Sequence, residues 1–164
     1  TLALGYLGQR VSVRLPQAEI TPGELGIRDR LIILHYLVTA GGAPLSGGLI
    51  TYKELPEGIA YYPTFVKRAI KPLLDNFAAD PERLLQTAQK LGAKQATEGD
   101  ISFKLSALPR VPLTVVLWRG DGEFPPEGSI LFDSSVTGYL PTEDITVLCE
   151  IMAWKLVRMS RQEG

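Results

Sequence analysis

The densest run of polar chemistry in the chain is ILFDSSVTGYLPTED, residues 130–144. An apolar run ends in Asp133-Ser134-Ser135, and Pro141-Thr142-Glu143-Asp144 follow. Carboxylates and hydroxyls at a strand end can make a binding or catalytic site, or a plain joint between a strand and a helix. Thr142, after a proline, suits an N-cap, with Glu143 and Asp144 beside the positive end of the helix dipole. The second half of the run therefore reads as a joint. Asp133 must either face a polar space or satisfy backbone donors, as Ser134 and Ser135 beside it can do locally. It is the candidate general base or positioning group, a role that requires a pocket and a raised pKa.

His35 is the only histidine. It sits beside the Leu31/Val38 stripe of a predicted helix, at the edge of the expected core face. The plain reading is a core-edge imidazole bonded to a backbone carbonyl. The sharper reading is a pocket residue acting as axial ligand to a tetrapyrrole metal, with Met152 or Met159 as a soft second ligand. Methionines at helical spacing more often fill cores. Tyr36, Tyr61 and Tyr62, with Tyr52 and Trp118, could hold a flat ligand by stacking. Their plain reading is a place at the core boundary with hydroxyls in water. Cys149 falls on an apolar helix face and reads as a small buried hydrophobe, since no neighbouring cation would activate its thiolate. Asp121, Glu123 and Glu127 form an acidic turn whose spacing matches no EF-hand. The candidate ligand-binding set is therefore His35, Tyr36, Tyr61, Tyr62, Trp118, Asp133, Ser134 and Ser135, with no catalytic residue assigned.

Several chemistries are excluded. There is no GxGxxG, P-loop, G-x-S-x-G, HExxH or CxxC. A Ser-His-Asp triad would need His35, inside what reads as a buried helix. One Cys and one His cannot build a zinc site from this chain alone, nor ligate an iron–sulfur cluster.

The elements that must position these residues follow from periodicity and punctuation. Residues 3–15 read as a hairpin around Gly8-Gln9, and 20–26 as a loop. Ile27, Leu31, Leu34 and Val38 share one stripe of a helix over 27–40, apolar nearly all round in its second half and so expected to be deeply buried. Residues 49–56 read as a strand with Ile50 and Tyr52 on one face. A helix over 61–77 carries Pro63 in its first turn, and Pro72 predicts a kink. Asp80 as N-cap, Pro81 at N1 and Gly92 at the end delimit the next helix. Strands are expected at 100–108, 111–119 and 129–133, the second being central because it is nearly all apolar. The last helix spans about 142–161, with Ile145, Leu148, Cys149, Met152, Leu156 and Met159 on its core face. Val147, Ile151 and Trp154 form a second apolar ridge. Strands at both ends with helices between and after predict an α+β fold: a mixed, mostly antiparallel sheet with about four helices packed on it.

The 164 residues suit one domain with a core that needs no staples. Apolar residues are 45% and charged residues 21%, a globular composition. Lys and Arg number 17 against 18 acidic residues, without the basic excess of a nucleic-acid binder. The longest apolar run, Leu31–Val38, is far short of the roughly 20 residues of a membrane span. A single cysteine fits a reducing cytoplasm. No signal peptide is read, and a start at Thr1 is what a piece of a longer chain would show.

Four stretches together resemble a known family: LIILHYL (31–37), YKELP (52–56), PRVPLTVVLWRGDGEFPPEGSILFD (109–133) and YLPTED (139–144). They are similar to the DUF3786 domain-containing proteins, uncharacterised proteins of mainly anaerobic bacteria and archaea. The resemblance spans about residues 3–157 and is most specific over 109–144. It implies a link to anaerobic redox or one-carbon metabolism, because some relatives carry an iron–sulfur domain of the corrinoid iron–sulfur type. Lacking the cysteines, this chain would be the partner half. The leading expectation is a non-catalytic binding or accessory module that holds a corrinoid or other tetrapyrrole, or docks an iron–sulfur or corrinoid protein. The alternatives are an enzyme using Asp133, and a structural protein–protein interaction domain with its contact on the Val147/Ile151/Trp154 ridge. The oligomeric state is left open.

Overall fold

The computed structural model describes residues 1–163. Strands β1 (Leu2–Tyr6), β2 (Gln9–Arg14) and β3 (Glu19–Thr21) form one sheet. Its antiparallel registers set Leu4 opposite Val11 and Val13 opposite Ile20. The stretch expected as a loop after Pro16 thus begins with a third strand. A second sheet has the order β4 (Leu49–Ile50), β8 (Glu127–Asp133), β7 (Val111–Trp118), β6 (Ile101–Leu108), β5 (Lys94–Gln95). The apolar β7 is central, as its composition predicts. The class is α+β, but the single mixed sheet expected is two sheets whose strand pairs are all antiparallel. Consecutive neighbours joined by short turns pair this way, because a parallel pair needs a crossover.

Helix α1 spans Ile27–Thr39. Helix α2 (Gly58–Phe65) runs through a π-helical turn (Val66–Ile70) into α3 (Lys71–Phe77). With α4 (Pro81–Gln89) and α5 (Thr142–Glu163), the fold has four helical bodies. The kink predicted at Pro72 takes the form of that π turn. Pro72 cannot donate, and the Lys71 N–H reaches back five residues to the Val66 carbonyl, widening the turn just ahead of the proline ring. The helix opens three residues earlier than expected, so Pro63 lies inside it. Gly58 makes that start feasible, since a Cβ there would stand 2.0 Å from the Tyr52 carbonyl oxygen. Tyr52 lies not in a strand but in a 3-10 turn, Tyr52–Glu54, after the two-residue β4.

One core unites both sheets and the helices. Phe103, Leu105, Leu113, Val115, Ile130 and Phe132 line the inner face of the larger sheet, and Leu148, Cys149, Met152 and Leu156 come from α5. Each large apolar side chain fully buried contributes about 1.5–3 kcal/mol. No helix among the described residues is long and apolar enough to cross a membrane.

Helix α1 departs from expectation in a way that matters for function. Its buried residues are Ile32, Ile33 and Tyr36. Three of the four stripe residues expected to face the core point the other way, Ile27 being 76% exposed, Leu31 46% and Val38 84%, and only Leu34 packs, half-buried, against the core. Because the helix is apolar nearly all round, periodicity could not tell which face packs. Tyr36 decides it. Its ring stacks on Tyr139 at 5.9 Å between centroids, and its hydroxyl donates to the Pro109 carbonyl at 2.7 Å.

Candidate functional site

Asp133 ends β8, opposite Leu49 of β4. Its carboxylate is buried and saturated. Oδ2 accepts from the Ser46 N–H at 3.0 Å, the Ser46 hydroxyl at 3.1 Å, the Ser135 N–H at 3.0 Å and the Ser135 hydroxyl, while Oδ1 accepts from the Gly47 N–H at 2.9 Å. Ser134 completes the joint: its hydroxyl lies 2.5 Å from that of Ser46, and its N–H donates to the Gly48 carbonyl at 2.8 Å. Residues 40–48 have no regular secondary structure; these bonds hold the far end of the segment, while Gly138, Arg110 and Tyr139 hold residues 41–43. Burial pushes the Asp133 carboxyl up, but the donations from Ser135, Ser46 and Gly47 outweigh it and hold the group well below the usual carboxylate range. A general base working near neutrality needs the reverse. The geometry is that of a clamp.

His35 is not buried as its helix pattern implied. Its side chain is 49% exposed, and its partner is a carboxylate rather than a backbone carbonyl. Nδ1 lies 3.1 Å from both oxygens of Asp144, whose side chain is 12% exposed. A nearly buried carboxylate on one ring nitrogen of a half-exposed imidazole orients the ring and leaves Nε2 as the available nitrogen, the arrangement that prepares a histidine to bind a metal. None of the five surface cavities that can be described is bordered by His35. A macrocycle at His35 would therefore need a second surface to enclose it. Met152, suggested as a second axial ligand, is in the core.

The remaining candidates are dispersed. Tyr36 is spent on its stack with Tyr139. Tyr62 lies 4.4 Å from the Lys53 ammonium and packs near Tyr52 and Phe65. Trp118 ends β7, 40% exposed. Tyr61, 51% exposed, is the one candidate bordering a described cavity. Only Asp133, Ser134 and Ser135 meet as a group. Among the described residues no cluster of three His, Cys, Asp or Glu could hold a metal ion. Asp80 is the N-cap residue of α4 as expected, without a side-chain cap bond, whereas Thr142, expected as an N-cap, is the first residue of α5 and its hydroxyl donates to the Pro56 carbonyl at 2.8 Å.

What residue-by-residue reading missed is the surface between α1 and α5. His35 pairs with Asp144 at one end, and Arg28 pairs with Glu150 further along. The two helices are thus antiparallel, with Leu31 level with Val147. Ile27, Leu31 and Val38 of α1 are exposed, as is Trp154 of α5 at 38%, whereas Val147 and Ile151, the other two residues of the ridge expected from the sequence, are half-buried and pack against the core. A cavity of about 290 Å3 opens between Ile27, Arg28, Glu150, Ile151, Trp154 and Arg158. Glu150 is held below the usual carboxylate range because, although burial raises it, hydrogen bonds from Arg68 and Arg28 prevail. The face is thus apolar, framed by fixed ion pairs and marked by one oriented imidazole.

No curated protein and no solved structure matches the chain. A family model described as a domain of unknown function matches residues 1–155, which include every residue of the α1–α5 face named above except Arg158. On that match the chain belongs to the DUF3786 family.

Proposed function

We propose that the chain is a non-catalytic accessory module that docks a partner protein through its α1–α5 face. The observation carrying this reading is the outward stripe of Ile27, Leu31 and Val38, continued by Trp154. Large side chains this exposed, on a helix with a well-packed opposite side, mark an interaction surface. Trp is enriched among the residues that dominate interface energies, and the cavity beside Trp154 can seat a side chain of the partner. The partner suggested by the family resemblance is an iron–sulfur or corrinoid protein of anaerobic redox or one-carbon metabolism, in the cytoplasm.

The test is photo-crosslinking in anaerobically grown cells, with a benzophenone amino acid at Val38 or Leu31 and, as control, at Glu123. A discrete adduct from α1 alone, abolished by Trp154→Asp, is expected. An adduct of twice the chain's mass marks a second copy instead of a partner. No adduct, or equal adducts from Glu123, overturns the reading.

A second reading is carried by the His35–Asp144 pair: the imidazole is offered as axial ligand to a tetrapyrrole metal, enclosed jointly with the partner. Protein purified without air should then bring a corrinoid or haem absorption band with the complex, and His35→Ala should shift it. A band unchanged by His35→Ala removes this version and leaves docking standing.

A further inference from the structure

The outer face of the larger sheet, turned away from the shared core, holds a cavity of about 300 Å3. Phe103, Leu105, Leu113 and Val115 point into the core, so Ser102, Lys104 and Thr114, which alternate with them, point outward. Lys104 and Thr114 form the floor of the cavity. Lys94 of β5 and Glu98 of the loop after it make one wall, and Gly47 and Leu49 make the other. There is room for roughly ten waters, and hence for a small organic molecule.

The polar groups here are not used up by the fold. Lys94 and Lys104 are cross-strand partners, so both leave the sheet on one face, where like charges directly opposite each other repel. Both are exposed, and among the described residues neither ammonium has a hydrogen-bond or ion-pair partner. The loop carrying Glu98 lies flat on the sheet. The Ala96 N–H donates to the Ser102 carbonyl at 2.9 Å and the Asp100 N–H to the Leu117 carbonyl at 3.1 Å, while a Cβ on Gly99 would stand 2.5 Å from Val116 Cγ1. Two polar atoms are covered there without a partner: Oε2 of Glu98, and Oγ of Ser102, a residue only 2% exposed. Buried carboxylate and hydroxyl oxygens seldom go unpaired. The terminal torsion of a glutamate is broad and two-fold, so either oxygen of Glu98 can turn to a donor in the cavity.

The charged side chains bordering the cavity are therefore two ammoniums and one carboxylate. Asp133, whose Oδ1 accepts from the Gly47 N–H at 2.9 Å, sets a second negative charge behind the Gly47 wall. The four charges cancel, so net charge selects neither a simple anion nor a simple cation. What the cavity offers is a dipole: unpaired ammoniums at the Lys94–Lys104 pair, and an unpaired carboxylate oxygen at Glu98. A neutral ligand with both charges satisfies it through charge-assisted hydrogen bonds at each end.

We propose that this cavity binds a small zwitterionic α-amino acid, its carboxylate between the Lys94 and Lys104 ammoniums and its own ammonium on Glu98. The site rests on its own geometry and does not depend on the docking face.

The experiment is a two-dimensional NMR titration of the intact chain with L-alanine. Propionate, which lacks the ammonium, and ethylammonium, which lacks the carboxylate, are the controls. Saturable shifts at Lys94, Glu98, Lys104 and Thr114 are expected with alanine, and each control should bind at least about tenfold more weakly. Glu98→Gln should weaken alanine binding at least about tenfold and leave propionate unchanged. Lys104→Gln should weaken alanine and propionate alike. Lys104 is exposed, so an unchanged remainder of the spectrum verifies that this variant is folded, and the three probes on the unaltered chain need no variant. Propionate binding as well as alanine would mean a plain anion site, and ethylammonium binding as well would mean a plain cation site. Either result overturns the proposal, as do shifts elsewhere or no saturable shift.

Discussion

The His35 imidazole and the Asp144 carboxylate are separated by 109 residues in sequence and 3.1 Å in space. The pair joins the middle of α1 to the first turn of α5. It also dictates which ring nitrogen carries hydrogen when the imidazole is neutral: Nδ1–H donates to Asp144, leaving the Nε2 lone pair outward. Long-range 1H–15N correlation should show the Nδ1–H tautomer for neutral His35. In Asp144→Ala it should revert to the commoner Nε2–H form. An Nε2–H tautomer in the unaltered chain would show that the pair does not form in solution.

Asp133 should act as a stability element with an acid dependence. Its carboxyl titrates below the usual range in the folded chain, so the unfolded chain takes up the proton first as pH falls. The stabilisation is complete above about pH 4 and is lost as pH drops below it. Asp133→Asn should cost about 2 kcal/mol in urea unfolding at pH 7, because backbone donors from Ser46, Gly47 and Ser135 lose a charged acceptor. The difference between the variant and the original chain should narrow in acid. A constant difference from pH 7 down to pH 3 would contradict the clamp.

Opposite sides of α1 should respond oppositely to substitution. Ile33, fully buried, should cost about 2–5 kcal/mol as Ile33→Ala. Val38→Asp, on the exposed side, should change stability by no more than about 0.5 kcal/mol while removing the adduct formed from a crosslinker at Leu31. Thermal unfolding of the two variants checks the first contrast. A large loss from Val38→Asp would mean that this side is covered in the free chain.

Cys149 should be inert. Its thiol is fully buried, and burial pushes its pKa far above the ordinary thiol value. A disulfide reagent such as dithiobis-nitrobenzoate should label it only as fast as the chain unfolds. Rapid labelling in native buffer would show that the α5 packing opens locally.

Much of the architecture was legible because local rules and tertiary packing agree. The alternation in 100–108, the apolar run of 111–119 and the Asp80-Pro81 helix start each match the element formed to within a few residues. The π turn before Pro72 was legible as trouble, though not as its solution: a missing donor is a local fact, whereas a wider turn is how the surrounding core absorbs it. The clamp at Asp133 was half legible. An aspartate after three apolar residues demands donors, but its Ser46 and Gly47 donors come from 87 and 86 residues away.

The sequence by itself determined the α+β class, the central place of β7, the burial of Cys149 and the family. These depend on hydrophobic periodicity, turn chemistry and extended similarity, all carried by neighbours along the chain. The tertiary structure alone decided which side of α1 is covered, that His35 meets Asp144, and that Tyr61 shares a cavity with Glu57 and Glu143. A helix apolar all round offers two nearly equivalent faces, and the choice falls to the Tyr36–Tyr139 stack and the packing of α1 on α5. Long-range contacts of this kind are set by how finished elements pack, which no local pattern encodes.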